Sequence, residues 1–314
     1  MSGLMMALGS GVVQGLLWGV MALGLYITFR LLKISDLTVD GSFTTGGAIT
    51  AVCIISGWHP LLAIFAATIG GMMAGAITGL LHTRMKIPAL LSGILTQIAL
   101  YTINLRIMGK PNIPLLQVGT IFTASNNLPL SRNMFAFLIT LPILVGIIAL
   151  MYWFFGTEIG TAIRATGDNP KMVRALGVNT ATTNMLGLIL GNGLVATSGA
   201  LVAQQQGFAD IGMGSGAIVI GLAAIIIGET LFFQGNFRLR LTSVLVGSVL
   251  YRLAITLILR LDPIESYDLK LFTAILVALA LWLPQVSDGM KLHYQRKQNQ
   301  KLMENGGESN AKGE

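Results

Sequence analysis

Side chains able to carry chemistry are few in the apolar part of this chain, and a cluster of them lies between two long apolar runs, in the polar stretch Thr157 to Thr182. It reads TEIGTAIRATGDNPKMVRALGVNTAT and holds Glu158, Arg164, Asp168, Lys171 and Arg174. No nucleophile stands beside a base there, so its chemistry is that of charge and hydrogen-bond recognition. His59, His82 and His293 are far apart, in loops or the tail, and have no metal-ligand spacing. The sequence also lacks the Gly-x-x-x-x-Gly-Lys-[Ser/Thr] loop that cradles nucleotide phosphates. No catalytic site, metal site or cofactor of its own is therefore expected, and an energy-driven process would need a separate ATPase.

The polar stretch has its own helix grammar. Asn169 can cap a helix by accepting a free N–H of the first turn, and Pro170 fits the first helical position because its missing N–H costs nothing there. Gly177 can take the left-handed stop. These residues bound a short helix outside the lipid. It could lie on headgroups, with Met172, Val173 and Leu176 down and Lys171 and Arg174 on phosphates. It could instead dock on a cytoplasmic partner, and its shortness favours docking, because about seven residues bury too little apolar surface to hold lipid alone.

A second set of polar residues falls within or beside long apolar runs: Asp36, Asp40, Ser42, Gln97, Asn104, Asn192 and Arg252, with Gln14 and Thr102 as weaker members. A central Arg costs roughly 2.5–3.5 kcal/mol to insert, so Arg252 should face protein or water. Hydrogen bonds between helices explain the amides as well as a solute path does. Asp36 and Asp40, at the edge of a span, could equally cap its N-terminus.

The elements that must position these groups follow from composition. Of the 314 residues, 54% are hydrophobic and only 11% charged, against roughly 25% charged in a soluble domain. Mean hydropathy is +0.74. Apolar runs of roughly 20 residues recur, the length that spans a bilayer as a helix, and the alternation of a membrane β-barrel is missing. The lone Cys53 reads as a small core residue. The net charge of +7 sits mostly in short loops and the tail, without a basic stripe interleaved with aromatics, which argues against nucleic acid. The N-terminal run lacks a basic leader and reads as the first span.

The expected fold is an all-α polytopic membrane bundle of about nine spans. They begin near Gly11, Gly41, Pro60, Pro88, Asn133, Asn184, Gly212, Leu241 and Leu269. Residues 1–290 form the membrane domain, and residues 291–314 form a disordered cytoplasmic tail. With the tail inside, Arg30, Lys33, Arg84, Lys86, Arg164, Lys171, Arg174, Arg238 and Arg240 are cytoplasmic, while Arg106, Lys110, Arg132 and Arg260 are external. That bias puts the N-terminus outside and the polar stretch in the cytoplasm. Two short spans share a lead-in of Asp followed by Gly-Ser: ISDLTVDGSFTTGGAI and FADIGMGSGAIVIG. Their opposite orientations suggest an inverted repeat with a path between them.

Three segments carry a family resemblance. IGTAIRATGDNPKMVRALGVN resembles the cytoplasmic coupling segment of permease subunits in ATP-binding-cassette importers of the branched-chain amino acid and ribose class. ISDLTVDGSFTTGGAI resembles that class's approach to the second span, with Asp40 as an insertion, and SGALVAQQQGFADIGMGSGAIVIGLAAIIIGE resembles its later Gly-rich segment. The pattern is most similar to the subgroup labelled for tryptophan/tyrosine transport. The resemblance implies a permease dimer in a bacterial inner membrane and an extracytoplasmic binding (lipo)protein. It also implies an ATPase that carries ATP and Mg²⁺ and a small solute such as an amino acid. It places force transmission on Arg164, Gly167, Asp168, Asn169, Pro170, Lys171, Arg174 and Gly177, and binding-protein docking on the loops 109–132 and 204–210. Nine spans depart from the ten common in that fold. A secondary transporter or channel without an ATPase is the alternative; it calls for intramembrane carboxylates, which the sequence places only at span edges.

Overall fold

A computed structural model describes residues 2–116, 118–123, 131–231, 236–258, 271–275 and 277–278. The expected ninth span is represented by helical residues 271–275 and 277–278, and the tail, 291–314, lies outside the described residues.

Helix α1 (Ser2–Leu25) runs on into a π-helical turn, Tyr26–Leu31. Lys33, at φ 58°, then breaks the direction of the chain. The short α2 (Val39–Ile55) follows. Helix α3 (Pro60–Thr83) starts where proline fits the first turn and where the His59 ring accepts the Leu61 N–H. Helix α4 (Ala89–Met108) opens after Pro88 and ends at Gly109, whose φ of 67° supplies the left-handed stop. Helix α5 (Arg132–Gly156) tolerates Pro142 in its interior. Helices α6 (Glu158–Asp168) and α7 (Pro170–Ala175) make up the polar stretch. The longest helix, α8 (Thr180–Gln206), is capped by Asn179 and closed by Gly207 at φ 83°. The short α9 (Ala217–Leu231) and α10 (Phe237–Ile258) follow, ahead of the helical residues 271–275 and 277–278.

Six of these, counting α1 with its π turn, are long and apolar enough to cross a membrane, and α2 and α9 are shorter apolar helices. An all-helical bundle is the correct class, with one addition. Strands β1 (Asn112–Pro114) and β2 (Phe208–Asp210) pair antiparallel, Ile113 opposite Ala209. The two loops read separately in the sequence are thus one ribbon, tied further by the Gln204 side chain, which accepts the Ile121 N–H at 3.1 Å.

Packing crosses between the halves of the chain. Helix α8 packs chiefly against α2 and α3, while α1 packs chiefly against α10 and also against α9; α1 and α8 then meet each other. Contact is at backbone distance. A Cβ on Gly46 would collide with the Ala196 carbonyl, and one on Gly199 with the Phe43 carbonyl. Small residues permit this closeness in a bundle whose helices gain little from hydrophobic burial against one another. The outward faces keep their apolar side chains exposed, Phe65, Met73 and Trp153 among them, as lipid-facing surfaces do.

Candidate functional site

The short helices α2 and α9 meet at their N-termini. Asp40, in the first turn of α2, accepts the Ile218 N–H with Oδ1 and the Gly216 N–H with Oδ2, both at 3.0 Å. Thr44 Oγ accepts the Gly214 N–H at 3.2 Å. The first N–H groups of a helix have no partner inside it and carry partial positive charge, so a carboxylate here both satisfies and neutralises them. Asp40 therefore caps the other short helix and not its own. Gly214 makes the approach possible, because a Cβ there would meet the Asp40 carbonyl.

Asp36 lies deeper than a span edge. It is 3% exposed, and its Oδ2 accepts a 2.7 Å hydrogen bond from Asn192 Nδ2, near the middle of α8. Its Oδ1 accepts the Thr38 N–H at 2.9 Å. Ser42 donates to Asn192 Oδ1 at 2.7 Å, and Asn192 Nδ2 also reaches the Leu188 carbonyl. A buried carboxylate is held by donors from two elements, which offsets its desolvation. Beside it, Thr38, Thr78 and Thr96 form a hydroxyl chain across α3 and α4. Sequence reasoning put both carboxylates at the rim of a span. The non-helical backbone from Ser35 to Thr38 carries them inward instead, and irregular backbone at that depth needs such internal partners.

A cavity of about 610 Å³ opens beside the Asp40 clamp. Its walls are Asp40, Gly41 and Thr44 of α2, Gln97, Ile98, Tyr101, Thr102 and Asn104 of α4, and Ile211, Gly212 and Ser215 ahead of α9. That volume is in the range that holds a small molecule. Asn104 Nδ2 donates to the Gly41 carbonyl at 3.3 Å. Its Oδ1 is buried and makes no hydrogen bond among the described residues. The lining offers amides and hydroxyls, while its one carboxylate is already engaged by backbone N–H groups.

Of the residues expected on a path, Asp40, Gln97 and Asn104 line this cavity; Asp36, Ser42 and Asn192 form the separate buried cluster. Arg252 is in neither. Its guanidinium lies 4.0 Å from the centre of the Trp18 ring, and Trp18 in turn stacks on Phe43 at 4.9 Å. An aromatic face, unnamed by sequence reasoning, is its partner. Tyr101, Thr44 and Ser215 were missed. For Tyr101 a signal existed, since Gln97, Tyr101 and Asn104 recur at the spacing of one helix face.

At the other end of the molecule, α7 has the form expected from its sequence. Asn169 Oδ1 accepts the Met172 N–H at 3.1 Å, Pro170 takes the first turn, and Gly177 stands at φ 85°. Val173 is buried, whereas Lys171, Met172, Arg174 and Leu176 are exposed. Three ties hold the unit to the spans. Lys33 and Asp168 form an ion pair at 2.9 Å, Arg174 Nε donates to Thr180 Oγ at 2.6 Å, and Thr166 and Thr183 share a 2.9 Å bond. Gly167 presses on the Leu31 carbonyl so closely that a Cβ would collide with it. Arg164 lies 5.2 Å from the centre of the Phe237 ring. Helix α6, which the sequence reading left inside the polar stretch, is capped by Thr157, whose hydroxyl accepts the Gly160 N–H.

Among the described residues no group of three or more His, Cys, Asp or Glu side chains could hold a metal ion. Comparison with known proteins supplies the class. The family model described as branched-chain amino acid transport system / permease component matches residues 7–280. The chain is 41% identical to the tyrosine transport system permease protein of Clostridioides difficile, over 85% of this chain and 88% of that one. It is 36% identical to an uncharacterized Rickettsia prowazekii protein, over 85% and 94%. It is 28% identical to the autoinducer 2 import system permease protein of Salmonella paratyphi B, over 64% and 57%. A multi-pass helical bundle, matched by one permease model over nearly all its membrane region, belongs to the branched-chain amino acid transport permease family of ABC-type importers.

Proposed function

We propose that this permease moves a small, weakly charged solute, of the amino-acid class, inward through the cavity beside Asp40. An extracytoplasmic binding protein delivers the solute, and a separate ATPase carrying ATP and Mg²⁺ drives the cycle. The observation that carries this reading is the pairing of two separate features in one bundle. One is an exposed, tightly capped helix, α7, tied to the spans through Lys33, Asp168 and Arg174. The other is a cavity at the meeting point of the two shorter apolar helices, α2 and α9. The amino-acid class rests on the tyrosine permease of Clostridioides difficile as relative, and on a lining of amides and hydroxyls.

In this reading the ATPase grips Asn169 to Gly177, and Arg164, Gly167 and Asp168 transmit its motion. Asp40, Ser42, Gln97 and Asn104 line or support the path. The buried pair of Asp36 and Asn192 fixes the shape of the short α2, and Arg252 steadies α1 against α10 through Trp18. The binding protein docks on the β1–β2 ribbon, at the end of the molecule opposite α7. The N-terminus is outside, the C-terminus is cytoplasmic, two copies form the working permease, and the membrane is a bacterial inner membrane.

Nine spans and an inverted repeat belong to the same proposal. Its support is the crossed packing, in which α8 stacks with α2 and α3 while α1 stacks with α9 and α10, and the N-end to N-end meeting of α2 and α9. Discontinuous helices of this kind flank the site in transporters built from inverted halves. The test is joint replacement of Asp168, Asn169 and Pro170 by alanine. The expected result is loss of both ATPase co-purification and uptake with the folded permease still in the membrane. Undiminished co-purification and uptake would refute the role.

A further inference from the structure

Two cavities at the α7 end of the bundle share a wall, and their linings differ. The first, about 680 Å³, is cationic: Arg30, Lys33, Arg164 and Arg240 line it with Tyr26 and Asp168. The second, about 450 Å³, is aromatic: Tyr152, Trp153 and Phe155 line it. Arg164 and Phe237 belong to both.

The charge in the first cavity is only partly met. Arg30 pairs with Glu229 at 2.7 Å and Lys33 with Asp168 at 2.9 Å. Arg164 and Arg240 have no acidic partner among the described residues, and Arg164 Nε is buried without a hydrogen-bond acceptor there. Arg240 has the Tyr26 phenol beside it. Two guanidiniums so placed call for an anion with several acceptor oxygens. The depth is that of headgroups, because Leu31, Gly156 and Phe237 are the ends of three apolar helices. Trp153 is exposed and Arg238 lies 4.0 Å from the centre of the Tyr152 ring, the residue types that anchor a span at the interface.

We propose that the joined cavities bind one anionic phospholipid. Its phosphate sits between Arg164 and Arg240, and the start of an acyl chain lies along Tyr152, Trp153 and Phe237. Basic pockets between spans on the cytoplasmic side recognise such headgroups. The lipid would join α6 to α10 and to the π turn, so the segment that carries α7 is braced by the membrane itself. This rests on the membrane location and on the proposed cytoplasmic placement of α7, not on the ATPase reading.

The test uses the purified full chain in nanodiscs of phosphatidylcholine with or without phosphatidylglycerol. Mass spectrometry counts retained lipid, and thermal unfolding reads its effect. Phosphatidylglycerol should raise the Tm of the wild type. The R164Q/R240Q variant should lose that rise and retain at least about tenfold less phosphatidylglycerol. R164K/R240K, which keeps the charge, should retain more than R164Q/R240Q, and R84Q/K86Q, on the loop between α3 and α4, should behave as wild type. Equal wild-type Tm in both lipids would overturn the proposal, whatever the variants do. Equal loss in R84Q/K86Q would mean a diffuse electrostatic attraction, and stabilisation of the detergent-solubilised chain by inorganic phosphate alone would mean a soluble anion site. Either result also overturns it.

Discussion

The carboxylate of Asp40 holds the backbone N–H of Ile218, 178 positions along the chain, at 3.0 Å. With its second bond, to Gly216, it joins the starts of the two short apolar helices by a direct contact that their shared sequence pattern does not specify. Asp40→Ala removes the acceptor and leaves the N–H groups of α9 unsatisfied. A lost cap costs about 1 kcal/mol and the lost charge at a helix N-terminus about as much again. The variant should lose about 2 kcal/mol of stability in detergent and most of its uptake. Asp40→Asn keeps one acceptor oxygen and should lose about half as much. Thermal unfolding of the two variants side by side checks this, and equal stability in Asp40→Ala and wild type would remove the clamp from the account.

Asn192 is the second joint. Its amide satisfies Asp36 and Ser42 together. Interhelical hydrogen bonds in membranes average about 0.6 kcal/mol, whereas bonds to charged groups are worth about 1.5–3 kcal/mol. The buried carboxylate puts Asn192→Ala in the second range. A double-mutant cycle with Asp36→Ala should recover much of the loss, since removing both partners leaves no orphaned charge. Additive losses would mean that the two side chains act separately.

Glycine positions separate close packing from mere composition. Gly199→Ala drives a methyl group into the Phe43 carbonyl and should cost about 1–3 kcal/mol. Gly146→Ala, in α5, meets nothing within 4 Å and should be neutral or stabilising by up to about 1 kcal/mol. Expression and Tm of the two variants in one host give the comparison. Similar behaviour in both would argue that α2 and α8 are not in backbone contact.

How much was legible depended on distance along the chain. The grammar of α7 is local: Asn169, Pro170 and Gly177 act within eight residues of one another, and each stands where its chemistry requires. Apolar helices were legible because hydrophobicity is a property of single segments: six of the nine expected spans coincide with described helices long and apolar enough to cross a membrane, and two more with shorter apolar helices. The Asp40 clamp was not legible, because nothing in VDGSFTT says that its aspartate caps a helix that begins 177 residues later. Arg252 shows the same limit, since nothing in its own segment points to the face of Trp18, 234 positions earlier. The depth of Asp36 was hidden too, because an irregular segment in a sequence looks like a loop outside the membrane.

The most direct test of the central claim asks what touches α7. Leu176 is 74% exposed there, Trp58 is 53% exposed at the opposite end, and Cys53 is the chain's one native cysteine. In a cysteine-free Cys53→Ala background that retains uptake, L176C and W58C are each labelled with a short photo-crosslinker in membranes that contain the whole transport system. The account predicts that L176C captures the ATPase and that W58C does not. Capture of the ATPase through W58C, or its absence from L176C in membranes that hydrolyse ATP for uptake, would contradict it.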